Sequence, residues 1–110
     1  MKVTASELAA MTASNDFTVV HIDANWDGCR SPVEEKMRQL DARKLEGVAC
    51  AYIDCDQEGG YVDAIGLRNV PAVAYYRGTG LVAVLVGKDQ NIAENLKITI
   101  SGGTPGLPKR

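Results

Sequence analysis

The 110-residue chain has three cysteines, Cys29, Cys50 and Cys55, and no two of them form a C-x-x-C pair. An odd, scattered set excludes a disulfide framework and favours a reducing compartment, so the sequence points to a cytoplasmic protein. It is poor in aromatics, with one tryptophan, one phenylalanine and four tyrosines, and it has a single histidine, His21. A His-rich metal centre is therefore excluded, and the Ser, His and Asp residues show no spacing that supports a hydrolase triad. There is no excess of positive charge: the formal net charge is −2. This argues against a general nucleic-acid or anionic-membrane binder. No apolar run is long enough to span a bilayer, and MKVTASELAA lacks the basic-then-apolar layout of a secretory leader.

What is present fits one domain with a modest core. Thr4-Ala5-Ser6-Glu7 has capping-box spacing and predicts a short helix ending near Ser14-Asn15. The stretch Phe17 to Asp23, rich in β-branched residues, predicts a strand. Asp27-Gly28 is turn chemistry, and Ser31 before Pro32 reads as a hydroxyl cap followed by a proline at the first helical position. Val33, Met37 and Leu40 then recur at helical spacing, with Glu34 and Glu35 in the first turn and Arg43 and Lys44 near the expected end. Val48 to Ile53 predicts a second strand. Gly59-Gly60 weakens the following segment, but Tyr61, Val62, Ile65 and Leu67 still suggest a short helix.

After Val70-Pro71, Ala72 to Tyr76 and Leu81 to Val86 predict two strands joined by a turn at Arg77-Gly78-Thr79-Gly80. Because side chains alternate along a strand, one of Tyr75 and Tyr76 is expected in the core and the other at the surface. Asp89 is the expected cap of a last helix carrying Ile92, Leu96 and Ile100. A domain over 1–100 is thus followed by a Gly/Pro-rich segment, 101–110, that reads as a flexible tail or interdomain linker. A strand–helix–strand unit requires a parallel pair and a tight hairpin an antiparallel one. The fold class is α/β, a mixed central sheet flanked by helices.

Two segments of this plan resemble the thioredoxin superfamily. VVHIDANWDGC, Val19 to Cys29, is similar to the strand that runs into a Trp-led loop at a helix start. Ile65-Gly66-Leu67-Arg68-Asn69-Val70-Pro71 looks like the family's G-[IL]-R-x-[IV]-P segment, whose proline is cis and precedes a β-hairpin. Where thioredoxins carry W-C-G-P-C, this chain has Trp26-Asp27-Gly28-Cys29-Arg30. Without a gap, Asp27 and Arg30 fall at the two cysteine positions. With a gap of one or two residues, Cys29 takes the nucleophile's place. Neither register restores a resolving cysteine. V-V-H-[IF]-x-A-x-W followed by a lone cysteine resembles the non-dithiol thioredoxin-like domain of multidomain monothiol glutaredoxins, and secondarily phosducin-like domains.

The resemblance implies a degenerate active site with a regulatory role in protein interaction. Its binding surface would join Trp26, Asp27, Gly28 and Arg30 to Val70 and Pro71, where a cis-proline turn exposes backbone to a protein or extended-peptide partner. The resemblance also implies a downstream glutaredoxin domain as a partner, reached through the Gly/Pro-rich segment. The alternative is a monothiol oxidoreductase that uses Cys29, next to Arg30 and near a helix start, with glutathione or a partner thiol. No resident cofactor or metal is expected. Asp54-Cys55-Asp56 reads as a strand-end loop, Cys50 as a small buried hydrophobe, and His21 as a hydrogen-bonded strand histidine with Asp23 two residues on along the same face.

Overall fold

The computed structural model describes residues 2–24 and 32–106. Its elements run α1 (Ala5–Ser14), β1 (Phe17–Asp23), α2 (Pro32–Ala42), β2 (Val48–Asp54), α3 (Gly59–Ala64), β3 (Ala72–Arg77), β4 (Gly80–Val86) and α4 (Ile92–Ile100). The capping box at α1 forms in both directions: the Glu7 N–H donates to Thr4 Oγ1 at 3.1 Å, and the Thr4 N–H donates to Glu7 Oε1 at 2.8 Å.

The four strands form one sheet in the order β2-β1-β3-β4. β1 pairs parallel with β2 and antiparallel with β3, and β3 pairs antiparallel with β4. The β3–β4 connection closes tightly because Gly78 takes φ 59°, a value that a side chain would oppose. Helices cover both faces, so the sheet separates two cores. Val20, Ile22, Ile53 and Ala74 pack toward α1 and α3, and Val19, Val73 and Tyr75 pack toward α2 and α4.

That two-sided cover corrects one expectation. Tyr75 and Tyr76 do alternate, but neither reaches the surface: both are buried, one in each core. Each hydroxyl finds a partner, Tyr76 with Tyr61 at 2.6 Å and Tyr75 with the Asn95 amide at 3.1 Å. Alternation predicts opposite faces, and only the layer count decides whether a face is wet.

Four local expectations also change. α2 stops at Ala42, before Arg43 and Lys44, because Lys44 turns to φ 49° and the last N–H groups close three-residue turns onto Leu40 and Asp41. Gly59-Gly60 forms the first turn of α3 instead of preceding it. Glu58, just before it, caps another helix: its Oε1 accepts the Ala5 N–H at 3.0 Å, joining α3 to α1. The cap of α4 is Asn91, whose side chain accepts the Glu94 N–H at 3.1 Å, and not Asp89. Buried Gln90 intervenes, donating to the Leu85 and Gly87 carbonyls. Finally, the inner stripe of α4 is Ile92, Leu96 and Thr99, which leaves Ile100 exposed.

The Arg77 guanidinium donates to the Thr99 and Gly103 carbonyls, and Pro105 is buried. Among the described residues no helix is long and apolar enough to cross a membrane.

Candidate functional site at one end of the sheet

Strand directions bring the end of β1 and the Val70-Pro71 turn to one end of the sheet. β1 and β2 run parallel and finish there at Asp23 and Asp54, and β3 begins there. Ile22 pairs with Ala72, so Pro71 lies beside the place where β1 ends, three residues before Trp26 in sequence. In open α/β sheets, ligands gather at this edge. The residues Trp26, Asp27, Gly28, Cys29 and Arg30 lie outside the described ones.

Val70-Pro71 is placed by what precedes it. α3 ends at Ala64, and Gly66 adopts φ 73° to turn the chain, letting Leu67 insert into the core. Arg68, Asn69 and Val70 then cross the surface. The Val70-Pro71 peptide bond is cis, as the sequence motif implied. The Pro71 carbonyl accepts the Gly87 N–H at 2.9 Å, which ties this turn to the end of β4. Val70 is 36% exposed. Among the described residues its backbone N–H and C=O have no hydrogen-bond partner.

Behind the end of β1 lies a cleft of about 310 Å³ between the sheet and α2, lined by His21, Asp23, Met37, Asp41, Cys50 and Tyr52 among others. His21 is buried, and its Nε2 lies 3.3 Å from Asp23 Oδ2. The Asp23 Oδ1 accepts the Ala24 N–H at 2.8 Å, fixing the carboxylate where the strand ends. The Tyr52 ring packs against the imidazole with centroids 5.4 Å apart, and its hydroxyl donates to the Asp23 carbonyl at 3.3 Å. The strand histidine expected from sequence is therefore present with its acidic neighbour. Tyr52 was not singled out in the sequence, although Cys50 and Tyr52 share a face of β2 by alternation.

Desolvation lowers the His21 pKa below 6.5, and the attraction of Asp23 and Glu34 offsets this only in part. The folded chain therefore binds fewer protons than the unfolded chain just below pH 6.5. Stability must rise with pH through that window and fall as pH drops below it. A His21→Gln chain is expected to show a flatter stability curve between about pH 7.5 and 5.5, the difference not exceeding about 1.4 kcal/mol per pH unit. Urea titrations at several pH values check this, and equal slopes would contradict it.

Neither described thiol is an activated nucleophile. Burial, aided by Asp41, pushes the Cys50 thiol up to about 11. Burial and the carboxylates of Asp56 and Asp54 raise that of Cys55. Asp54, Cys55 and Asp56 do approach one another, with ligand atoms within 4.8 Å. Local bonds account for the grouping: the Asp56 N–H donates to Asp54 Oδ1 at 2.9 Å, and Lys2 Nζ lies 3.8 Å from Asp54 Oδ2. This is a closed strand-end turn.

No protein family and no curated protein matches the chain. Solved structures do. A mutant thioredoxin from Halobacterium salinarum is 27% identical, with a TM-score of 0.69 over 97% of this chain and 94% of that one. A mutant thioredoxin from Entamoeba histolytica is 17% identical, with a TM-score of 0.73 over 90% of this chain and 97% of that one. Thioredoxin F from spinach chloroplast is also 17% identical, with a TM-score of 0.73 over 91% and 92%.

Proposed function

We propose that this chain, which has a thioredoxin-superfamily fold, is a protein-interaction module that holds an extended segment of a partner and does not run dithiol–disulfide exchange. The observation that carries this reading is Val70. Its side chain is exposed and its backbone donor and acceptor are unpaired among the described residues, at the sheet end where β1 finishes, three residues before Trp26 in sequence. An unpaired peptide unit of this kind can receive a partner strand by backbone hydrogen bonds, while neighbouring side chains select among sequences. Trp26 is the natural aromatic anchor, with Asp27, Gly28, Arg30 and Pro71 completing the surface.

The chemistry supports the negative half of the proposal. Thiol–disulfide exchange passes through a mixed disulfide, and a second nearby thiol must release the product. The sequence has no C-x-x-C, and the two described thiols are held protonated by burial and carboxylates. The proposed setting is a regulatory or docking domain of a monothiol glutaredoxin or another redox or iron–sulfur protein of the cytoplasm.

A second reading is favoured by Cys29, which stands three residues before Pro32, the first residue of α2, and next to Arg30. There its thiolate would attack glutathione disulfide. One sulfur–sulfur bond would form between Cys29 and glutathione, the original bond would break, and one glutathione thiolate would leave.

The expected result in an insulin-reduction assay with dithiothreitol is a rate no greater than that of dithiothreitol alone. Turnover like that of a dithiol thioredoxin would sink the interaction reading. Peptides selected from a displayed library are expected to lose binding to Val70→Asp while circular dichroism stays unchanged. Retained binding would move the surface elsewhere. Mass spectrometry after mild glutathione-disulfide treatment tests the second reading: an adduct on Cys29 supports it, and unmodified Cys29 opposes it.

A further inference from the structure

The two edges of the sheet are treated differently. At the β2 edge, Lys2 bridges to Tyr52, and the Val3 N–H donates to the Tyr52 carbonyl at 2.9 Å. At the other edge β4 has no neighbouring strand among the described residues. Its sequence, Gly-Leu-Val-Ala-Val-Leu-Val, has no charge and no proline. Leu81 and Val86 are each 40% exposed, among the largest apolar exposures in the molecule. Natural edges are usually blunted by charges, prolines or bulges. Here the irregularity opposite Tyr75/Tyr76 lies near the turn, and Ala83 to Val86 keep a regular register with β3.

The register also shows which groups face outward. The Gly87 N–H bonds the Pro71 carbonyl, so that pair is of the hydrogen-bonded kind. Bonded and non-bonded pairs alternate along an antiparallel ladder. The pairs Ala72–Val86 and Ala74–Val84 are therefore non-bonded, and the N–H and C=O groups of Val84 and Val86 point away from β3.

We propose that β4 is a self-association edge that pairs antiparallel with β4 of a second copy of this chain. The occupant follows from the sequence, because Val84-Leu85-Val86 is palindromic. A twofold axis at Leu85 sets Leu85 against Leu85 and each outward-facing Val84 against an outward-facing Val86. Each such pair exchanges both of its backbone hydrogen bonds, and apolar side chains meet apolar side chains on both faces. This is the self-complementarity that an isologous interface requires.

Charge permits the same register. Lys88 would lie opposite Val82 of the other copy, and the two copies of Lys88 would be about 20 Å apart, beyond the screening length at physiological salt. Arg77 is turned away, onto Thr99 and Gly103. A partner strand carrying charges would instead have to place them against Leu81 and Val86. One short strand pair buries less than a standard interface, so the dimer is weak and concentration-dependent. The inference is independent of the peptide-binding reading.

Sedimentation equilibrium over a wide range of concentration tests it. The weight-average mass of the wild-type chain is expected to rise toward twice the monomer mass. Val84→Pro removes an outward-facing N–H, on an edge where proline is tolerated, together with the valine's contacts on the core beneath α1 and α3. Val86→Lys puts two like charges diagonally across the axis. Both variants are expected to stay monomeric with unchanged circular dichroism, Val86→Lys with an unchanged unfolding midpoint and Val84→Pro with a lowered one. A wild-type chain that remains monomeric throughout overturns the proposal, and so does a dimer that persists in both folded variants. If Val84→Pro unfolds, the Val86→Lys result alone decides.

Discussion

Replacing Ile22 with alanine is expected to lower the unfolding free energy by about 2–5 kcal/mol. Ile22 is fully buried in β1, which has a strand on each side. It pairs with Ile53 on β2 and Ala72 on β3, and its side chain enters the core beneath α1 and α3. Ala72 is too small to fill the vacated volume, and Ile53 is held in register by its own strand. The cavity therefore persists, and the lost contacts add to the lost transfer free energy. Ile22→Val, which removes one methyl group, is expected to cost about 0.5–1.5 kcal/mol. Urea unfolding of the three chains measures both values. A loss below about 1 kcal/mol for Ile22→Ala would mean that the site collapses around the smaller side chain.

The second large effect lies in the other core. The Asn95 amide donates to the Tyr75 hydroxyl at 3.1 Å, and both residues are buried. Tyr75→Phe leaves that amide without its acceptor, and Asn95→Leu leaves the hydroxyl without its donor. Each single change is expected to cost about 1–3 kcal/mol, because an orphaned buried polar group incurs its full desolvation penalty. The double variant removes both groups and is expected to be more stable than the sum of the single losses predicts. A thermal-unfolding cycle decides the point, and strictly additive losses would show that the two groups do not rely on each other. Burial raises the Tyr75 pKa to about 12, so the hydroxyl stays protonated throughout such measurements.

The order of elements was legible because each carries a local signal. The Thr4–Glu7 capping box, the β-branched run in β1, the Val33/Met37/Leu40 stripe and the Gly78 turn are all set by residues near in sequence. The thioredoxin likeness rested on two local segments, Val19 to Cys29 and Ile65 to Pro71, and the fold bears it out. Where the sequence misled, a distant partner had intervened. Asp89 has the right chemistry for a cap, yet Gln90 is drawn inward by carbonyls at the end of β4, so the helix begins beyond Asn91. Glu58 stands at its own helix start but serves the first turn of α1.

The candidate site divides along the same line. The types of residue at Val70-Pro71, the absent second cysteine and the His21/Asp23 alternation belong to the sequence alone. They state that no C-x-x-C is present and which strand face the imidazole shares with the carboxylate. Tertiary structure decided the rest. It set Pro71 beside the end of β1, closed Tyr52 over His21, and put both tyrosines of β3 out of water. It also left one sheet edge covered by Lys2 and Val3 and the other without a neighbouring strand among the described residues. The physical reason is range: caps, turns and periodicity act over a few residues, whereas burial, desolvation and strand pairing depend on segments distant in sequence that meet only once the chain has folded.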